Sequence, residues 1–452
     1  MARKTTTVPY RKGGMTDAIV SFVVGTKVAA IPASARRTAK LKILDTLGVS
    51  LAAAGRPIGA MVTGYVAAAG GTAEASVLGS RSKVPAPMAA LANGTLANAI
   101  DFDEGTHLST AVLPTALAVA EREGLSGKAL LDGYIVGFEV GFRLTKAVDA
   151  LRPKGRGPTR RGFWHVGLIG PLAAAATAAR MLKLSRAETA TALGIASCSA
   201  GGFRNSLGTM AKALHSGNAA RAGIEAALLA RQGFTAENDI LEAPLGYMAA
   251  LTAPDERDVP QVTDLLGRPF VLDGPPRIKP FPACTPVQPG LDALLALHRR
   301  EKFRVGDIES IETNLHTFSL LRPMATDESS AGFCSPYLLA ATLVHGALGL
   351  DQTGDEAVRD RRVQALAARV KGTGDKDVTL RLKDGRVLVA KVKPVRRLTT
   401  VEEVTAKFRD CAGRTLSARA VAGLVDLVMG LEREAGVARL MRLAGATSSR
   451  SR

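Results

Sequence analysis

Histidine is scarce in this chain, six in 452 residues, and three of the six stand in contexts suited to chemistry. His107 follows Asp101-Phe102-Asp103-Glu104-Gly105-Thr106. His165 lies within Arg161-Gly162-Phe163-Trp164-His165-Val166-Gly167, and His215 within Lys212-Ala213-Leu214-His215-Ser216-Gly217. A lone histidine is more often a hydrogen-bonded structural residue. Three of them flanked by glycine and small side chains, which permit close approach, shift the balance toward imidazoles that move protons. Lys212 and His215 are three apart and share a helix face. Lys212 stands between Ala211 and Ala213, where burial would lower its pKa. It then serves as a general base near neutral pH or, if the charge is kept, as an anchor for a carboxylate. Lys279 is held by Pro280 and Pro282 in what reads as a rigid loop; taken alone, it reads as an ordinary solvated lysine.

Asp101, Asp103 and Glu104 raise the question of a metal, but EF-hand spacing, HExxH and any histidine pair at ligand spacing are missing, so no metal is expected. There is no P-loop, no GxGxxG opening a strand–helix unit and no GxSxG elbow. Gly201-Gly202-Phe203-Arg204 is glycine-rich without any sign of a phosphate site. Cys284, in Pro282-Ala283-Cys284-Thr285, is either a nucleophile or an inert loop residue.

Two domains are the default for this length. Aromatics are only 4% while alanine and glycine abound, a composition suited to closely packed helices rather than to platforms for stacking bases. The net charge of +18 fits an anionic small substrate, an anionic surface or simply a basic exterior. The basic residues are scattered, densest at Arg152 to Arg161 and at Arg359 to Arg362, and no nucleic-acid motif accompanies them, so nucleic-acid binding is not expected. The four cysteines are far apart, which fits a reduced, cytoplasmic setting. No run of about 20 apolar residues marks a membrane span. Residues 1–14 and 446–452 read as disordered tails.

From about Asp17 to Ala253 the pattern is helix after helix. Leu41, Leu44, Leu47, Val49 and Leu51 form an apolar stretch punctuated by Gly48 and Gly55. Ala111–Ala120, Leu172–Leu182 and Ala211–Leu229 read as further buried helices. Ser185 with Glu188 forms a capping box for a helix through Leu193-Gly194-Ile195-Ala196. Composition shifts near Val259, and Gly274-Pro275-Pro276 and Lys279-Pro280-Phe281-Pro282 break any helix. A helix from Pro289 to Arg300 follows. Ile308–Leu315 alternates as a strand, and Val378–Leu382 with Val387–Val392 flank Asp384-Gly385 as a hairpin. The expected fold is mostly α, with residues 15–260 forming a large all-helical domain, 261–400 a smaller α+β lid, and 401–445 a helical return to the first domain.

Taken in order, these segments resemble the MmgE/PrpD family, whose members are dehydratases, decarboxylases and epimerases of small polycarboxylic acids. The resemblance runs from about Asp17 to Gly349. It rests on Leu44-Asp45-Thr46-Leu47-Gly48, Ala92-Asn93-Gly94, Asp101-Phe102-Asp103-Glu104 and Ala111-Val112-Leu113-Pro114. It continues through His165, Lys212 to Arg221, Lys279-Pro280-Phe281-Pro282-Ala283 and Ser335-Pro336-Tyr337. It implies a homodimer with a pocket between the two domains and without metal or organic cofactor. Asp101, His107, His165, Lys212 and Lys279 match the family's active-site positions, with Tyr337 as a further match; Thr106 stands near a family threonine, and His215 follows the family lysine. The 101–107 segment is shorter than the family pattern. Cys284 replaces a histidine of the decarboxylase branch, and Gln288 stands where many members have histidine.

The implied chemistry is removal of a proton next to a carboxylate, with cations stabilising the enolate-like intermediate. His165 and Lys212 would move protons, with His107, Asp101 and Cys284 completing the catalytic set. Lys279, Tyr337, His215, Thr106 and Arg204 or Arg221 would contact the substrate. A lyase acting on a citrate- or aconitate-like acid is the first reading. An epimerase of an aspartate- or succinate-derived acid such as iminodisuccinate follows, using a thiol at Cys284. A non-catalytic anion-binding or scaffold protein is the remaining alternative.

Overall fold

The computed structural model describes residues 12–150, 161–251, 262–314 and 322–445. The basic run at 152–160, the composition shift near Val259, Leu315, and the tail residues 1–11 and 446–452 lie outside the described residues.

The first half is built of helices: α1 (Met15–Gly25), α2 (Ala33–Ala54), α3 (Pro57–Ala69), α4 (Ala86–Ala99), α5 (Ser109–Arg122), α6 (Gly127–Ala150), α7 (His165–Met181), α8 (Arg186–Ser197) and α9 (Met210–Arg231). Of these, α2, α4, α5 and α7 are buried on nearly every side and the others keep a solvent face. In α2 every residue from Leu41 to Ala53 is buried, including Lys42 and Asp45. Gly48 is no break in this helix: α2 runs through it. A Cβ there would lie 2.9 Å from the Phe408 ring, so the glycine admits a neighbouring helix. The capping box at α8 forms as the sequence predicts, Ser185 accepting from the Glu188 amide and Glu188 from the Ser185 amide.

Helices α4 and α9 approach closely. A Cβ on Gly94 would sit 2.8 Å from the Ser216 carbonyl oxygen, and one on Gly217 would sit 2.3 Å from the Leu91 carbonyl oxygen. Backbone therefore rests on backbone at this crossing. The crossing lies one to two turns from Asn98 at the end of α4 and from Lys212 at the start of α9, so it fixes how far Lys212 reaches.

Buried apolar side chains fall into two clusters. The first gathers α1 to α9, residues 266–278, and the C-terminal helices Val401–Ala412 and Ala418–Met429. The second spans Ala283 to Ala390, with Trp164, Val166 and Leu207 reaching into it. It contains the helices Gln288–Arg300 and Ser335–His345 and a four-stranded sheet of order β4-β3-β5-β6. Here β3 is Ile308–Thr313, β4 is Val370–Gly372, β5 is Val378–Leu382 and β6 is Val387–Ala390. The Asp-Gly turn closes the β5–β6 hairpin with Val378 opposite Ala390, and β3 pairs antiparallel with β5 and parallel with β4. A two-stranded ribbon, β1 (Ala75–Ser76) with β2 (Lys83–Val84), lies within the helical half. No helix among the described residues is long and apolar enough to cross a membrane.

Because no side chain fits the α4–α9 crossing, Gly217→Ala is expected to lower stability by about 1–3 kcal/mol, the cost of overpacking. Urea unfolding measures it, and an unchanged midpoint would contradict the contact.

Candidate active site

The site starts where α4 ends. Asp101 follows the helix by two residues, and its buried carboxylate is shared by two ammoniums: Lys212 Nζ lies 2.8 Å from Oδ1 and Lys279 Nζ 2.9 Å from Oδ2. Each lysine also donates to backbone. Lys212 donates to the Asn98 carbonyl at 3.0 Å, one of the carbonyls left open at the C-terminus of α4. Lys279 donates to the carbonyl of Asp101 itself at 3.2 Å. Burial works to raise the Asp101 pKa, but the ammoniums of Lys212 and Lys279 outweigh it and hold the carboxyl well below the usual range. Burial likewise works against the Lys279 charge, and Asp101 and Asp103 overcome it, raising the ammonium above its ordinary value. Of the two roles the sequence leaves open for Lys212, its ion pair favours that of a retained cation.

His107 sits beside this pair, its Nε2 3.7 Å from Asp101 Oδ1. Its Nδ1 donates to the Asp103 carboxylate at 2.7 Å, which orients the ring. The residue has φ 58, a left-handed conformation that costs a non-glycine residue about 1–3 kcal/mol. Asp103 holds the ring, and Thr110 Oγ1 donates to the His107 carbonyl at 2.6 Å. Glu104 anchors the rest of the loop by accepting from the Thr106 amide and hydroxyl, the Ser109 amide and Lys42. Burial raises its pKa, but Lys42 and Thr106 prevail and bring it to about 2.

His165, the first residue of α7, is the partly exposed member of the group. Its ring centre is 5.9 Å from that of His107 and 4.4 Å from that of Trp164. Nε2 donates to the Thr106 carbonyl at 3.1 Å, which places the lone pair on Nδ1. Burial of the ring, reinforced by His107, lowers its pKa to about 3. His165 is therefore a neutral imidazole at physiological pH, and its partial exposure with that of Thr106 and Gly105 marks where the cluster meets solvent. Gly332 and Phe333 approach from the second core: a Cβ on Gly332 would lie 3.7 Å from the Asp101 Cβ, and Lys212 Nζ lies 5.6 Å from the Phe333 ring.

Five of the sequence-predicted residues thus converge: Asp101, His107, His165, Lys212 and Lys279. Thr106 joins them through its carbonyl. Cys284 is buried near Lys279 and Asp101, and burial pushes its thiol well up, so it is no thiolate near neutral pH. Tyr337 is buried and donates from its hydroxyl to the Gln352 carbonyl at 2.7 Å; it holds the second core together rather than touching Asp101. His215 turns to Ser206, 3.0 Å away, and Arg204 lies on that same turn. Arg221, nine residues beyond Lys212, is on the opposite face of α9 and approaches Glu225 at 3.8 Å. Gln288 donates to the Phe281 and Ala283 carbonyls at 3.0 and 2.7 Å, bracing the loop after Lys279.

Sequence reasoning missed the orienting role of Asp103, the loop-anchoring role of Glu104, and the charges of α2. Lys42 and Asp45 stand as charges inside an apolar run, the sequence signal of charges buried in α2. Phe333 carries no such signal. Asp101, Asp103 and His107 bring one ligand atom each within 4.8 Å of one another, close enough to share a cation. Such an ion would have to displace the ammoniums on Asp101 and the imidazole on Asp103.

The sequence matches the MmgE/PrpD N-terminal domain over residues 17–259 and the C-terminal domain over 281–431. The chain belongs to the MmgE/PrpD family and is an enzyme of its lyase type. It is 28% identical to cis-aconitate decarboxylase of Mus musculus, covering 92% of this chain and 91% of that one. It is 27% identical to cis-aconitate decarboxylase of Aspergillus terreus, covering 96% of each. It is also 27% identical to the mitochondrial 2-methylcitrate dehydratase of Yarrowia lipolytica, covering 87% of this chain and 82% of the relative.

Asp101→Asn leaves two buried ammoniums without their carboxylate, so a loss of about 3–5 kcal/mol is expected in urea unfolding at pH 7. Since the folded carboxyl is depressed, its stabilisation is present above the unfolded pKa and lost as pH falls below about 4. The variant should lack that part of the acid-induced loss, and equal stabilities at pH 7 would remove Asp101 from the centre of the site.

Proposed function

We propose that this chain is a cofactor-independent lyase acting on a small polycarboxylic acid of the cis-aconitate or 2-methylcitrate type. The observation that carries the reading is a neutral, partly exposed imidazole, His165, set beside two ammoniums that meet on one buried carboxylate. A proton next to a carboxylate is weakly acidic, and removing it leaves negative charge on the carboxylate oxygens. His165 Nδ1 has the lone pair to take such a proton. Lys212 and Lys279 supply positive charge to the developing enolate in surroundings where charge interactions are strong. Both ammoniums already pair with Asp101, so a substrate carboxylate shares them rather than meeting them free. In dehydration, His107 is placed to protonate the departing hydroxyl. In decarboxylation, the same cations stabilise the carbanion left by carbon dioxide, and a proton from His107 quenches it.

Lyase chemistry is favoured over epimerisation by the relatives, which are named as cis-aconitate decarboxylases and a 2-methylcitrate dehydratase. The second core serves as the lid in this reading. The protein works as a homodimer, a state supported by exposed apolar side chains such as Phe203, Met210 and Leu214. Cys198, Cys284, Cys334 and Cys411 form no disulfide among the described residues, which supports a reduced compartment, the cytoplasm.

Purified protein incubated in heavy water with citrate-, aconitate- and 2-methylcitrate-type acids tests the reaction. An alkene product or released carbon dioxide is expected, undiminished by EDTA. Deuterium entering unconsumed substrate without net reaction would replace the lyase with an epimerase. His165→Gln is expected to lower kcat at least about 100-fold, and a variant with full turnover would exclude His165 as the base.

A further inference from the structure

Behind the ion pairs on Asp101 stands an ammonium that the chemistry above does not use. Lys407 is buried on the Val401–Ala412 helix, about 300 residues from the loop it meets. Its Nζ lies 2.7 Å from Asp45 Oδ1 on α2. It donates to the carbonyl of Phe102 and, at 3.2 Å, to the carbonyl of Lys279. It also rests 3.7 Å from the centre of the Phe102 ring. Phe102 follows Asp101 directly. One cation therefore grips the backbone of both chain segments whose side chains form the Asp101–Lys279 pair. Phe408 against Gly48 packs the 401–412 helix onto α2 and so brings Lys407 to Asp45. Two buried carbonyls and one buried carboxylate look to this ammonium, and losing it leaves all three without that partner.

We propose that Lys407 is a positioning residue of the active site, clamping the Phe102 and Lys279 backbones so that Lys279 and Asp101 meet in register. The inference rests on reading the Asp101 cluster as the reacting site. Its consequence is that helix 401–412, remote in sequence and without contact to substrate, sets turnover. A displacement of about 1 Å in a reacting group costs on the order of 100-fold in rate, and outer partners of functional groups typically account for about 10–100-fold.

The test compares full-length Lys407→Met with Asp45→Asn in the same chain, which removes charge from both partners. Lys407→Gln is the milder variant should that one fail to fold, and Leu424→Ala in the Ala418–Met429 helix is a stability-matched control away from the Asp101 cluster. Two quantities are read: steady-state kcat and KM on whichever acid the wild type turns over, and amide hydrogen exchange of residues 101–107 and 278–284. The expected result is a fall in kcat of about 10–100-fold with a smaller change in KM. Exchange in those two segments should rise about tenfold, and the control should move neither. Wild-type kcat and exchange in the folded variants would overturn the proposal. So would equal losses in Leu424→Ala, which would reduce Lys407 to a contributor to stability alone. If the wild type turns over no acid, the lyase reading falls, and the exchange comparison alone decides the positioning role.

Discussion

Everything at this site depends on one carboxylate accepting two ammoniums. Burying a lysine alone is costly, and burying two side by side more so; Asp101 makes both tolerable by taking one on each oxygen. The lysines come from different parts of the chain, Lys212 from the first turn of α9 and Lys279 from a proline-bounded loop 67 residues later. The shared carboxylate is thus also what joins the helical body to the start of the second core. The His107 loop, the α4 terminus and the Val401–Ala412 helix all bear on where Asp101 sits.

The physical division of labour runs between groups that keep their charge and one that stays neutral. Asp101 and Glu104 are held as carboxylates against burial by neighbouring lysines and hydroxyls. His165 is kept neutral by the same burial, since among the described residues no carboxylate forms an ion pair with it to repay the lost solvation. Such separation of titrating groups by environment is how a fold assembles acid, base and electrostatic stabiliser from ordinary residues.

Much of this was legible in the sequence. Scarce histidines next to glycine and small side chains identified His107 and His165, and the alanine setting of Lys212 announced its burial. The capping box at Ser185 and the Asp384-Gly385 hairpin are local signals, and local signals survive into the fold. What could not be read were interactions decided by tertiary approach. Gly48 looks like a helix interruption until Phe408 is seen beside it. Tyr337 matches a family motif but places its hydroxyl on Gln352, because the geometry of the second core, not the motif, decides where that group points. Lys407 lies in an ordinary amphipathic helix, with nothing nearby in sequence to show that its tip reaches Phe102 and Lys279.

Around Asp101, the ammoniums of Lys42, Lys212, Lys279 and Lys407 stand against the carboxylates of Asp45, Asp101, Asp103 and Glu104. The interior is electrically balanced before anything enters. A ligand bearing two or three negative charges upsets that balance, and a medium of low polarisability does not tolerate a net interior charge of that size. Occupancy is therefore coupled to the solvent's supply of hydrogen ions, each polyanion arriving with protons or drawing them in behind it. Heat of association would then vary with the ionisation enthalpy of the buffer, a thermodynamic mark of a site whose cations are all spoken for.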